Sequence, residues 1–155
     1  MRRCSPTDRR RPDPSRTSKR DCGGTCESGM RAVDTNVLLR LIVRDDRAQA
    51  EQADRFVERG AWVSILALAE AVWVLGSVYD QNAAQVARAI DLLLQHRNLT
   101  LQDCDVVAAA LAIFRLRPAL GFSDCLMLET ARRAGHLPLG TFDRALGKAE
   151  GAEKL

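Results

Sequence analysis

From Met30 onward, short apolar segments alternate with longer stretches of helical periodicity, and this alternation restricts the fold more than anything else in the chain. Arg31–Asp34, Ala61–Ser64, Leu99–Leu101 and Leu137–Thr141 read as strands. A turn or helix follows Asp34 and runs through Leu41. Residues 46–59 place Ala50, Ala53, Phe56 and Val57 at helical spacing, and Gly60 stops them. Ser64 is positioned to cap an apolar helix over 65–78. Asn82, with Gln85 three residues on, opens a helix whose inner face is Val86, Ala89, Ile90, Leu93 and Leu94. Asp103 is expected to cap a helix reaching about Leu116, which Pro118 ends. Ser123 is expected to cap another from Asp124 to Ala134, closed by Gly135, and a short helix and a last strand should follow Thr141. Strands alternating with helices imply an α/β protein with a parallel sheet covered on both faces. In such sheets ligands collect at the carboxyl ends of the strands.

The 155 residues suffice for one domain with a sizeable core, and their 46% hydrophobic and 28% charged content is that of a globular protein. No apolar run reaches the ~18–20 residues that span a bilayer, so no membrane association is expected. The formal charge of +3 is unevenly distributed. Residues 1–29 hold eight basic and four acidic side chains, and the rest hold 15 basic and 16 acidic. A general nucleic-acid coating surface is therefore not expected from 30 onward, although Arg40, Arg44, Arg47, Arg132, Arg133, Arg144 and Lys148 cluster enough for local basic patches. Residues 1–29 have no periodic apolar pattern and read as a disordered basic tail, with Met30 as the expected working start. Cys22 and Cys26 lie in that tail and make a poor metal site by themselves. Cys104 and Cys125 sit in apolar helical contexts, which argues against a disulfide framework and for a reducing cytoplasm.

Four carboxylates stand out. Asp34 ends the first strand, and Asp143 follows the fourth in Gly140-Thr141-Phe142-Asp143. Glu70 interrupts an otherwise apolar run from Ile65 to Leu75, and Asp124 opens a helix. Each has a structural alternative: Asp34 as an N-cap, Asp124 at the positive end of its helix, Asp143 as the cap of the last short helix. Glu70 has no partner nearby in sequence and is expected to face a polar site rather than a solvent stripe. Jointly, the four suggest an acidic pocket that calls for a divalent cation. Mg²⁺, or Mn²⁺ in its place, prefers such hard oxygen ligands, and Thr35, Asn36, Ser64 and Thr141 are candidates to orient the acids. His96 and His136 show no metal-ligand spacing, and no Gly-rich phosphate loop or GxSxG elbow is present.

Val33-Asp34-Thr35-Asn36-Val37-Leu38-Leu39-Arg40, Glu70-Ala71-Val72-Trp73-Val74-Leu75, Gly121-Phe122-Ser123-Asp124-Cys125-Leu126 and Thr141-Phe142-Asp143-Arg144 together resemble, in order and spacing, the PIN domain. The nearest likeness is to VapC-type toxins of bacterial type II toxin–antitoxin pairs, and it covers about 30–155. The resemblance implies a three-layer α/β/α sandwich with a central, mostly parallel sheet and a Mg²⁺-dependent ribonuclease activity. Asp34 and Asp124 would be the main metal ligands, with Glu70 and Asp143 completing the set directly or through water. It further implies an RNA substrate, a cognate antitoxin and a homodimer. The tail, the residues Ser123 and Cys125 beside Asp124, and a weakly patterned segment after Gly151 depart from the family without removing an acid. One rival is a non-catalytic PIN-fold module that binds RNA or a protein. The other is an aspartyl-phosphate phosphotransfer enzyme, disfavoured because Asn36 stands where such folds place a second Asp.

Overall fold

A computed structural model describes residues 29–155. Nearly all of the expected tail, with Cys22 and Cys26, lies outside the described residues. The chain runs β1 (Arg31–Val33), α1 (Thr35–Val43), α2 (Arg47–Val57), β2 (Ala61–Val63), α3 (Ile65–Ser77), α4 (Ala83–Gln95), β3 (Leu99–Leu101), α5 (Cys104–Leu116), α6 (Phe122–Ala134), β4 (Leu139–Thr141), a 3₁₀ turn (Leu146–Lys148) and β5 (Ala152–Lys154). This is the α/β alternation expected from the pattern. No described helix is long and apolar enough to cross a membrane.

The strands pair in parallel, as the helical crossovers require. β1, β2 and β3 form one ladder in that order, with Val33 opposite Val63 and Val63 opposite Leu101. β4 and β5 form a separate two-stranded ladder, Thr141 opposite Lys154. The single central sheet expected from the sequence is thus divided into two hydrogen-bonded ladders among the described residues. Three-residue strands offer few ladder bonds, so side-chain packing rather than sheet extent holds the layers together. Leu38, Leu68, Leu75, Ile90, Val107 and Leu128 are fully buried. They come from α1, α3, α4, α5 and α6, and burying each is worth about 1.5–3 kcal/mol before chain entropy is counted.

Two helix starts differ from the sequence reading. Asp103 takes a left-handed conformation (φ 47°) and gives α5 no side-chain cap. The chain turns sharply there between β3 and α5, and Asp is among the few residues that tolerate that conformation. Helix α6 begins at Phe122 rather than after Ser123, because Asp124 reaches back to the Gly121 N–H and fixes the start two residues earlier. β4 likewise begins at Leu139, beyond Pro138, which has no N–H to give to a ladder. Gly135 closes α6 at φ 78°, a left-handed position that suits glycine.

Candidate functional site

Asp34 is the first residue past the carboxyl end of β1. Its Oδ1 accepts from the Val37 N–H at 3.0 Å, capping α1. The next residue, Thr35, donates its hydroxyl to Glu70 Oε2 at 2.5 Å, which ties α1 to α3. Glu70 is solvent-exposed, and the polar neighbour that its own helix does not supply comes from 35 positions earlier in the chain. Asp124 is half-buried in the first turn of α6, a helix packed against α3, and its Oδ2 accepts from the Gly121 N–H at 3.2 Å. Burial pushes the neighbouring Cys125 thiol up to about 11, and the charge of Asp124 adds to the shift. Asp143 follows β4. Its own N–H donates to Thr141 Oγ1 at 3.0 Å, and its Oδ1 accepts from the N–H groups of Ala145 and Leu146 at 2.8 and 2.7 Å.

The four acids share one bonding pattern. In each, one carboxylate oxygen is held by a backbone N–H or a hydroxyl, and the other has no protein partner among the described residues. None of the four belongs to an ion pair there. By donor chemistry this is a set of oriented, hard, anionic oxygens of the kind a divalent cation takes. The structure ties Glu70 to Thr35, the residue that follows Asp34. It does not gather all four, for among the described residues no three Asp, Glu, His or Cys side chains are close enough to hold one metal ion. The physical reason is local: Asp34, Asp124 and Asp143 each turn toward N–H groups at the start of the helix or turn that they themselves open.

Of the residues considered as orienting groups, Thr35 touches Glu70, and Thr141 holds the backbone of Asp143. Ser64 spends its hydroxyl capping α3 at Ala67, and Asn36 is exposed at the rim of a groove it shares with Val37, Arg40 and Phe56. Most of the clustered basic residues are neutralised. Arg40 pairs with Asp45 and Arg44 with Asp54, both at 2.6 Å, Arg47 with Glu51 and Arg132 with Glu129 at 3.0 Å, and Arg133 with Asp105 at 2.6 Å. Gln102, passed over in the sequence, accepts from the Ile65 N–H at 3.1 Å and so helps seat α3 beside the end of β2. Only its position just after a strand hinted at that.

Residues 31–152 match the PIN domain family, a span from the first residue of β1 to the first of β5. The chain belongs to the PIN-domain family. No curated protein matches it. PIN domains are typically nucleases that use divalent metal ions. In this PIN domain Asp34, Glu70, Asp124 and Asp143 all fall within the matched span, on β1–α1, α3, α6 and the segment after β4.

Proposed function

We propose that this PIN domain is a Mg²⁺-dependent endoribonuclease, with Mn²⁺ an acceptable substitute, and the toxin of a VapC-type toxin–antitoxin pair. The observation that carries the reading is the Asp34–Thr35–Glu70 arrangement: two carboxylates from different elements, oriented through one oxygen each and open at the other. In this reading Asp34 and Asp124 would be the principal metal ligands, and Glu70 and Asp143 would complete the set directly or through water once a cation draws their free oxygens together. A divalent cation bound there supplies charge neutralisation on a phosphodiester and activation of water. The chain's own groups do the positioning. Val37 and Gly121 N–H fix Asp34 and Asp124, Thr35 fixes the rotamer of Glu70, and Thr141 fixes the backbone of Asp143. Hydrolysis adds water across a P–O bond, leaving phosphate on one fragment and a hydroxyl on the other. A cognate antitoxin, a homodimer and a cytoplasmic location complete the proposal.

The test has two readouts. Mg²⁺ or Mn²⁺ should raise the melting temperature of the parent, since a ligand that binds only the folded state stabilises it, and should support cleavage of structured RNA that EDTA abolishes. Asp34→Asn and Asp124→Asn should lose both effects while staying folded, because the amide oxygen still accepts from Val37 or Gly121. A parent that neither shifts with metal nor cuts RNA would favour the non-catalytic module. Variants that cut as fast as the parent would place the activity elsewhere.

A further inference from the structure

Trp73 is 66% exposed on α3 and, among the described residues, packs against no other aromatic ring or cation. It lies one turn beyond Glu70, and residues three apart on a helix are surface neighbours. Trp73 also forms a wall of a groove of about 440 Å³ that runs to Gly121 and Ser123, the residues leading into Asp124. Gly76 lies one turn further along the same groove, and a Cβ there would meet nothing within 4 Å. The floor includes Phe114 and Phe122, packed edge to face at 6.0 Å. At Ala83 and Phe114 this groove meets a second, of about 560 Å³, whose walls carry Arg88 and Arg115. Arg115 is paired with Asp91 at 2.8 Å, whereas Arg88 is exposed and has no ion pair or side-chain hydrogen bond among the described residues. An open aromatic face three residues from Glu70 on α3, in a groove that reaches the residues before Asp124 and adjoins a second groove lined by Arg88, offers the recognition elements for one polymer: stacked base and anionic backbone.

We propose that Trp73 is the stacking platform for a nucleobase next to the scissile phosphate and that Arg88 meets the strand's backbone further along. This rests on the ribonuclease reading of the acids. Only an unpaired, splayed nucleotide can lay its face on an indole, since bases inside a duplex are already stacked. Ser77 turns its hydroxyl back to the Trp73 carbonyl at 2.8 Å, so the platform reads a ring face rather than base-edge donors and acceptors.

The full chain in EDTA, where metal-supported cleavage is off, is titrated with short fluorescein-labelled oligoadenylate and with duplex RNA, and cleavage of the single strand is then timed in Mg²⁺. The parent should bind the single strand more tightly than the duplex. Trp73→Ala should weaken binding about tenfold and Trp73→Phe should restore most of it. Arg88→Ala should reduce the slope of log affinity against log salt by about 0.7, the loss of one single-strand phosphate contact. In Mg²⁺ the Trp73→Ala loss should fall on KM rather than kcat. A parent that cuts while Trp73→Ala binds and cuts alike overturns the platform and leaves the nuclease standing. A parent that binds through Trp73 but never cuts leaves the platform and removes the nuclease. Sedimentation in which Trp73→Ala splits a dimer, with RNA binding unchanged, makes the groove a contact between two copies and overturns the proposal.

Discussion

The two ends of α1 treat charge in opposite ways. Toward its C-terminus, Arg40 donates to Asp45 and Gln49, both at 2.6 Å, and the Tyr79 hydroxyl donates to Asp45 at 2.9 Å, so the charges at that end have partners. The Tyr79 hydrogen bond, with the Arg40 charge beside it, holds the Asp45 carboxyl below its ordinary range despite some desolvation. At the N-terminus Asp34 and Glu70 are held in place by a backbone N–H and a hydroxyl, and no cation answers either among the described residues. A fold that merely needed stability would gain from adding a counter-charge there, as it has one helix length away. Orientation without neutralisation suits a site that meets a cation from outside.

That contrast can be broken experimentally. The largest effect is expected from Asp34→Asn, which should reduce metal-dependent cleavage about a hundredfold or more, exceeding the ~10–100-fold typical of residues that only orient a ligand. Circular dichroism should show the fold retained. Thr35→Val keeps the shape but removes the hydroxyl from Glu70, and should cost about tenfold in cleavage with an upward shift in the Mg²⁺ concentration needed for half-activity. An unchanged Mg²⁺ dependence would reduce Thr35 to a helix contact. Asp45→Asn, at the neutralised end, should leave cleavage untouched and lower the melting temperature slightly at pH 7. Asp45 titrates below its unfolded value of 3.8, so its contribution is present above that pH and fades as pH falls through the lower folded value. Melting curves of parent and Asp45→Asn should accordingly converge below about pH 3.8. If they diverge instead, the Tyr79–Asp45–Arg40 network does not hold the two helices as drawn.

Most of the fold was legible because its signals are local. Apolar spacing placed α2, α4 and α6 to within a few residues, the capping pair Asn82 and Gln85 opened α4 as read, and Gly135 closed α6. Asp34 and Asp143 were legible as caps for the same reason. What misled was competition between neighbours able to do the same job. Ser123 and Asp124 both suit a helix start, and the longer reach of Asp124 to Gly121 prevailed. Asp103 resembles a cap in sequence, but the turn out of β3 set its backbone to the left-handed region, where its side chain does not cap α5. Basic residues that cluster in sequence looked like a patch until acids on the same and neighbouring elements took them up.

By itself the sequence determined which segments are helix or strand, which acids cap them, and that Glu70 has no partner in its own helix, since periodicity and caps act over a few residues. Only the tertiary structure decided what Glu70 meets. Thr35 and Glu70 lie 35 positions apart, and no local rule brings them to 2.5 Å. The packing of α1 on α3 does so, while Trp73, one turn beyond Glu70 on α3, stays exposed.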